Sequence, residues 1–473
     1  MKKLLVILFA LGLVFSFTAP VMATDVSFDG TYRVRGFYDS NSALTKGDAA
    51  VKEKTPSAYY DQRFRLNTVF QVAEGLKVVV RFDALDGTWG TSDLRNPSVK
   101  TATTYNSVTY QYGTAVTSTS SSQSNLQFDK AYMSFVTGIG LFEVGYNSWG
   151  VWGTGFGDEE AFIGQVGYKV PVGDNLVFGL KTGKVTEGDS GSTYSDFDDD
   201  KYVAYGVYFN DTMQLGLLYA YYRFEQYLTP MGTLYSANYK DVTAHSVNPY
   251  LKLTLGDLYI ESEMTYIIDA SANKSAATKD IELEALTFYL KGQYNMGPIY
   301  LGALFAYVQG DDPDTGPTDK IENAMGILGS GPDWDPCLIL FTDTCTTALG
   351  SNGSTYNSTQ TTAMTGTQMD NGYLYQVFAG AAFDKLSFKA TLTYAEAHED
   401  REDQTAANGA RTKYLNKDYG TEFDVTVDYK LYDNLTYTVG AGYLWTGDYY
   451  KGTSNTNTIG DTYLLMNKLQ VTF

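Results

Sequence analysis

The chain has 473 residues, with 46 glycines and 40 tyrosines against 11 prolines, 2 histidines and 2 cysteines, and a formal charge of −20. That charge argues against nucleic acid as a partner, because phosphate contacts need a cationic surface, and two histidines leave little material for a His-rich metal or acid–base centre. Two cysteines exclude a disulfide-dense framework, and no apolar run beyond the first twenty residues is long enough for a helical membrane bundle. The first element in the chain, Lys2 and Lys3 before an apolar core from Leu4 to Phe17 and a small-residue site Val21-Met22-Ala23, reads as an export signal over residues 1–23. Its removal takes away two lysines, so the remaining single domain, 24–473, carries −22.

From Thr24 onward apolar and polar residues alternate with period two along the whole chain. Strands are expected near 25–38, 59–72, 76–86, 125–137, 140–147, 160–171, 175–186, 200–210, 212–226, 242–254, 257–269, 281–295, 298–310, 371–383, 385–397, 417–431, 434–446 and 461–473. In the sixteenth, Phe423, Val425, Val427 and Tyr429 take one face while Glu422, Asp424, Thr426 and Asp428 take the other. Segments of about ten or more residues exceed the usual strand of a soluble sandwich and suit a lipid-spanning strand, which must sit in a closed barrel because unpaired backbone groups in lipid are costly. Every second connection is short, such as Glu74-Gly75, Gly138-Ile139 and Tyr432-Asp433, and the others are long and polar. The fold class expected is therefore all-β: a transmembrane antiparallel β-barrel of about 18 strands, with short periplasmic turns and long extracellular loops, in the outer membrane of a Gram-negative cell. Abundant tyrosine fits the aromatic girdles at the two lipid interfaces.

Parity assigns a charge layout to the lumen. Arg33, Arg35, Arg63, Arg65, Lys77, Arg81, Lys130, Lys169 and Lys181 fall inward on the first seven strands, and Glu261, Glu263, Glu422, Asp424 and Asp428 on later ones. Low-dielectric walls focus the field of such charges, so the basic wall would favour anions, unless the charges pair across strands, as Arg63 or Arg65 could with Asp83. The acidic run Asp198-Asp199-Asp200 reads as part of a solvated loop. The long connection 311–370 has room to fold inward, as does the glycine-rich third external loop, Ser148 to Gly157. Within the long connection Cys337 and Cys345 are expected to form one disulfide, and the apolar run from Cys337 to Phe341 beside Trp334 to form a folded core. No cofactor is required by the pattern, although Asp312, Asp314 and Asp319 have the oxygen spacing of a calcium loop, without its closing glutamate.

The last strand alternates Tyr463, Leu465, Leu469 and Val471 with polar residues and ends on Phe473, which resembles the C-terminal assembly signal of bacterial outer-membrane proteins. The whole pattern resembles outer-membrane porins. Gly420-Thr421-Glu422-Phe423-Asp424 followed by Thr446-Gly447-Asp448-Tyr449 is similar to the closing strands of the alginate-export type of eighteen-stranded barrel, a resemblance that implies an arginine-rich lumen for a polyuronate.

The function expected is passive diffusion of small hydrophilic solutes with an anion or acidic-saccharide preference, the partners being membrane lipid and the solutes; assembly as a homo-oligomer stays open. A substrate-specific channel or an exporter of an acidic polysaccharide is the alternative. A barrel enzyme would need a nucleophile beside His245 or His398, the only histidines, and no such motif accompanies either.

Overall fold

The computed structural model describes residues 25–41, 44, 56–90, 104–105, 108–109, 126–158, 160–187, 198–224, 239–274, 281–314, 320–322, 334–342, 369, 371–404 and 411–473. The export signal at 1–23, Cys345 and Asp319 lie outside them.

Eighteen strands form the wall: β1 Asp25–Asp39, β2 Ser57–Ala73, β3 Leu76–Thr88, β4 Leu126–Thr137, β5 Gly140–Trp149, β6 Ala161–Val172, β7 Leu176–Thr186, β8 Asp199–Phe209 and β9 Met213–Phe224 make the first half. The second half is β10 Tyr239–Leu255, β11 Leu258–Lys274, β12 Leu286–Met296, β13 Ile299–Val308, β14 Gly372–Ala382, β15 Leu386–Glu396, β16 Asp418–Tyr432, β17 Leu435–Thr446 and β18 Thr462–Thr472. Each pairs antiparallel with its sequence neighbours, and β1 pairs with β18 from Thr31↔Thr472 to Asp39↔Leu464, so the sheet closes on itself. Two short strands, Ile281–Leu283 and Lys320–Ile321, extend it at the long-loop end.

The strands form because alternation suits a wall with lipid on one side and water on the other. Phe423, Val439, Leu465, Val377 and Leu217 are exposed on the outer face, while Glu422, Asp424 and Thr438 are buried on the inner one. Eleven residues rise about 36 Å, and a tilt of about 45° leaves roughly 25 Å of height, the span of an apolar band. Glycine serves the tight turns where the chain needs a left-handed residue, as at Gly75 with φ 72° and Gly256 with φ 60°. Two apolar clusters lie within the barrel: one joins Leu340 and Phe341 to Tyr419, Leu444 and Leu464, and the other joins Trp149 to Val203, Tyr222 and Ile267.

Candidate functional site: a charged lumen narrowed by two inward loops

The basic wall begins on β1 to β4. Across β1 and β2 the register sets Arg33 opposite Arg63 and Arg35 opposite Asp61. Arg35 donates to both Asp61 oxygens at 3.0 and 2.8 Å. Arg65 does the same to Asp83 at 2.7 and 2.8 Å, so of the two arginines that could reach Asp83 it is Arg65 that takes it. A bulge between Arg81 and Phe82, in the pairing with β4, turns Asp129 inward beside Lys130, against simple parity. Arg81 consequently reaches Asp129 at 3.1 Å and clasps Glu160 at 2.7 and 2.8 Å, and Lys130 meets Glu160 at 2.8 Å. Lys169 pairs with Glu143 at 2.9 Å and Lys291 with Glu261 at 3.2 Å, while Lys181 stands over the Trp149 ring. Lys77 faces Gln71 and Ser134 in register near the short-turn end.

Much of the predicted basic wall is thus internally neutralised. Arg33 and Arg63 differ: neither makes an ion pair among the described residues, and the Nε of each is buried with no hydrogen-bond partner. They border a cavity of about 390 Å³ together with Arg35, Lys389, Lys468 and Asp428. Asp428 accepts hydrogen bonds from Ser387 and Thr438.

Three predicted pore-lining acids point inward but stand beneath loops, with Glu422 at 0%, Glu263 at 2% and Asp424 at 4% exposure. The reason is that both candidate loops fold in. In the third external loop the Thr154 N–H and hydroxyl donate to Glu263 Oε2 at 2.6 and 2.7 Å, and the Gly157 N–H faces the same carboxylate. Glycine makes room for it: a Cβ on Gly153 would lie 2.7 Å from the Glu263 carboxylate, and one on Gly157 only 2.2 Å from Oε1. Five strands further round the wall, segment 334–342 of the long connection lays three N–H groups on Glu422, those of Leu338 and Ile339 on Oε1 at 3.0 and 2.7 Å and that of Leu340 on Oε2 at 2.8 Å. The loops meet where Phe156 stacks on Tyr289, with centroids 5.1 Å apart, and Trp334 stands edge-on to Phe156 at 5.0 Å. Tyr289 is fixed in turn by its hydroxyl bond to Glu261 at 2.7 Å.

While Cys345, its expected disulfide partner, lies outside the described residues, Cys337 is a buried thiol whose Sγ lies 3.4 Å from Thr393 Oγ1, turned towards β14 and β15. Its sulfur and the carboxylates of Glu422 and Asp424 lie within 4.8 Å of one another, yet the N–H groups converging on Glu422 set up a field for an anion, not for a metal cation. At the suggested calcium loop Asp312 accepts the Asp314 N–H at 2.8 Å and Asp314 pairs with Lys413 at 2.5 Å. The run at 198–200 is not a solvated loop: all three aspartates are buried, and Lys184 lies between Asp198 and Asp200. His245 meets the Tyr219 hydroxyl on the outer wall, and His398 meets the Gly310 N–H at 3.2 Å and the Tyr307 hydroxyl at 3.3 Å. Burial holds the His398 imidazole below its ordinary value, although Glu399 opposes this.

No protein-family profile and no curated protein matches the chain. Among solved structures it is similar to Pseudomonas aeruginosa OccK3 (OpdO), at 13% identity over 94% of this chain and 96% of that one, with a TM-score of 0.47. It is also similar to a BenF-like porin from Pseudomonas fluorescens Pf-5, at 12% over 94% and 99%, with a TM-score of 0.46. The in-vitro folded outer-membrane protein OmpT of Vibrio cholerae is 11% identical over 96% and 100%, with a TM-score of 0.39.

Proposed function

We propose that the chain is an outer-membrane porin through which small hydrophilic solutes diffuse passively, with a preference for anions. One observation carries the preference: Arg33 and Arg63 face each other and make no ion pair among the described residues, Asp61 and Asp86 acting on Arg33 only at longer range, beside a lumen cavity that Lys389, Lys468, Asp424 and Asp428 also line. Paired charges such as Arg65 with Asp83 present little net field, whereas two unpaired guanidiniums in a confined low-dielectric bore attract anions and repel cations. Export of an acidic polysaccharide, as in the alginate-export type, calls for a wide bore; the two inward loops fit passage of small solutes better. The test is the reversal potential of the refolded barrel in a planar bilayer under a salt gradient. Changing both residues, Arg33→Glu with Arg63→Glu, is expected to move it towards cation preference, while Arg65→Gln moves it much less. An unshifted potential in the double variant refutes the anion preference.

A further inference from the structure

We infer that Glu263 and Glu422 are positioning residues, one for each inward loop, which hold the constriction closed when ionised and widen the channel when neutralised. The inference rests on the porin reading for its functional consequence and on the anchors themselves for its geometry.

The two sites share one chemistry on wall strands five apart in the ring of eighteen. Each buried glutamate comes from the inner face of a wall strand, β11 or β16, and neither makes an ion pair among the described residues. Each is instead met by main-chain N–H groups of a loop far away in sequence, Thr154 from 109 residues away and Leu340 from 82. A buried carboxylate without a cation is costly to maintain, and N–H groups converging on both oxygens offset that cost only while the loop stays in place. Removing the negative charge removes the polar share of that hold and leaves the apolar packing to keep the loop in place. Other holds act beside the two glutamates: the Trp152 indole N–H donates to the Asn248 carbonyl at 3.0 Å, Gln376 donates to the Pro336 carbonyl at 2.8 Å, the Leu338 N–H also reaches Asp424 at 3.4 Å, and Phe156, Trp334, Leu340 and Phe341 are buried in one apolar cluster. Titratable and charged groups facing Glu422 are Asp424 on its own strand, Cys337 on the segment it holds, Lys389 on β15 and Tyr450 in the last loop. Those facing Glu263 are Asp158 in the loop it holds, Tyr250 on β10 and Tyr289 on β12.

Glutamine keeps the size of glutamate but replaces one acceptor oxygen by a donor, which opposes the loop N–H groups. Loss of one charge-assisted hydrogen bond shifts the ratio of held to released loop by roughly tenfold. In bilayers Glu263→Gln and Glu422→Gln are each expected to raise single-channel conductance. The native channel is expected to conduct more as pH falls and the carboxylates protonate, and a Glu263→Gln, Glu422→Gln double variant to lose that response. Cys337 gives a second readout: in a Cys345→Ser background it should resist a charged thiol reagent in the native barrel and react in the Glu422→Gln variant. Should a glutamine variant fail to fold, Gly157→Ala leaves the wall untouched and places a methyl against Glu263, whereas Gly155→Ala, with no atom within 4 Å of the added Cβ, serves as its control. Native-like conductance in the glutamine variants and in Gly157→Ala, with Cys337 still protected, overturns the inference. Absence of any current through the native protein would refute the porin reading alone, since thiol labelling still decides the anchors.

Discussion

Glu160 is the hub of the ion-pair network at the start of β6, taking Arg81 on both oxygens and Lys130 on one. Burial works to raise its carboxyl, but the hydrogen bonds and charges of Arg81 and Lys130 outweigh it and hold the group at about 2 instead of 4.5. A carboxyl lowered in the folded state contributes stability that is present above its unfolded value and lost as pH falls through the folded one. Glu160→Gln is therefore expected to cost about 2–3 kcal/mol at neutral pH, since Arg81, Lys130 and the more distant Arg65 lose a shared partner. The gap from the native protein should close as pH is lowered through about 2. Urea titrations of the folded barrel at a series of pH values measure it, and a gap independent of pH would show that Glu160 acts through packing and not through charge. The aspartates at 198–200 carry a related lesson. A run of like charges reads as solvated, yet Lys184 on the neighbouring strand end gathers two of them, a partnership that local sequence does not contain.

At the scale of elements, the wall was legible and the loops were not, for one physical reason. A strand between lipid and water writes its environment into every second residue, so all eighteen could be located within a few residues of their observed ends. The loops owe their course to contacts across the bore, such as Phe156 with Trp334, and those have no local signature. Traces existed nonetheless: glycine at 150, 153, 155 and 157 is more than a surface loop needs, and Glu263 and Glu422 sit on lumen parity. Bulges mark another limit, because Asp129 faces Arg81 only where the β3–β4 register slips. The alternation of short and long connections still orients the barrel. An epitope inserted at Asn455, in the loop between β17 and β18, should be reached by antibody on intact cells, and one at Gly75, in a two-residue turn, only after the outer membrane is permeabilised. Surface reactivity at Gly75 would invert the orientation.

For the whole molecule the decisive contact is the seam, because seventeen correct hairpin and loop pairings still leave two open edges in lipid until β1 meets β18. Each unpaired backbone group there costs several kcal/mol, so closure is driven by the entire ladder at once and needs its register set at one end. Gly30 and Phe473 set it: the Gly30 N–H donates to the Phe473 carbonyl at 2.9 Å and the Phe473 N–H donates back to Gly30 at 3.1 Å. The Phe473 ring stacks on Phe64 of β2 with centroids 6.2 Å apart, which ties the incoming strand to the second strand as well as the first. Gly30 must lack a side chain, since a Cβ would lie 2.3 Å from the Arg65 carbonyl oxygen and 3.0 Å from the Phe473 ring. Gly30→Val and Phe473→Ala are accordingly expected to lower the yield of heat-modifiable, protease-resistant barrel during refolding into lipid, Gly30→Val more severely because it displaces backbone as well as ring. Phe473→Tyr keeps the stacking and should fold as the native chain does. Equal yields for all three would mean that the seam register is set elsewhere along β1 and β18, with the Arg35↔Lys468 and Phe37↔Met466 rows the next to test.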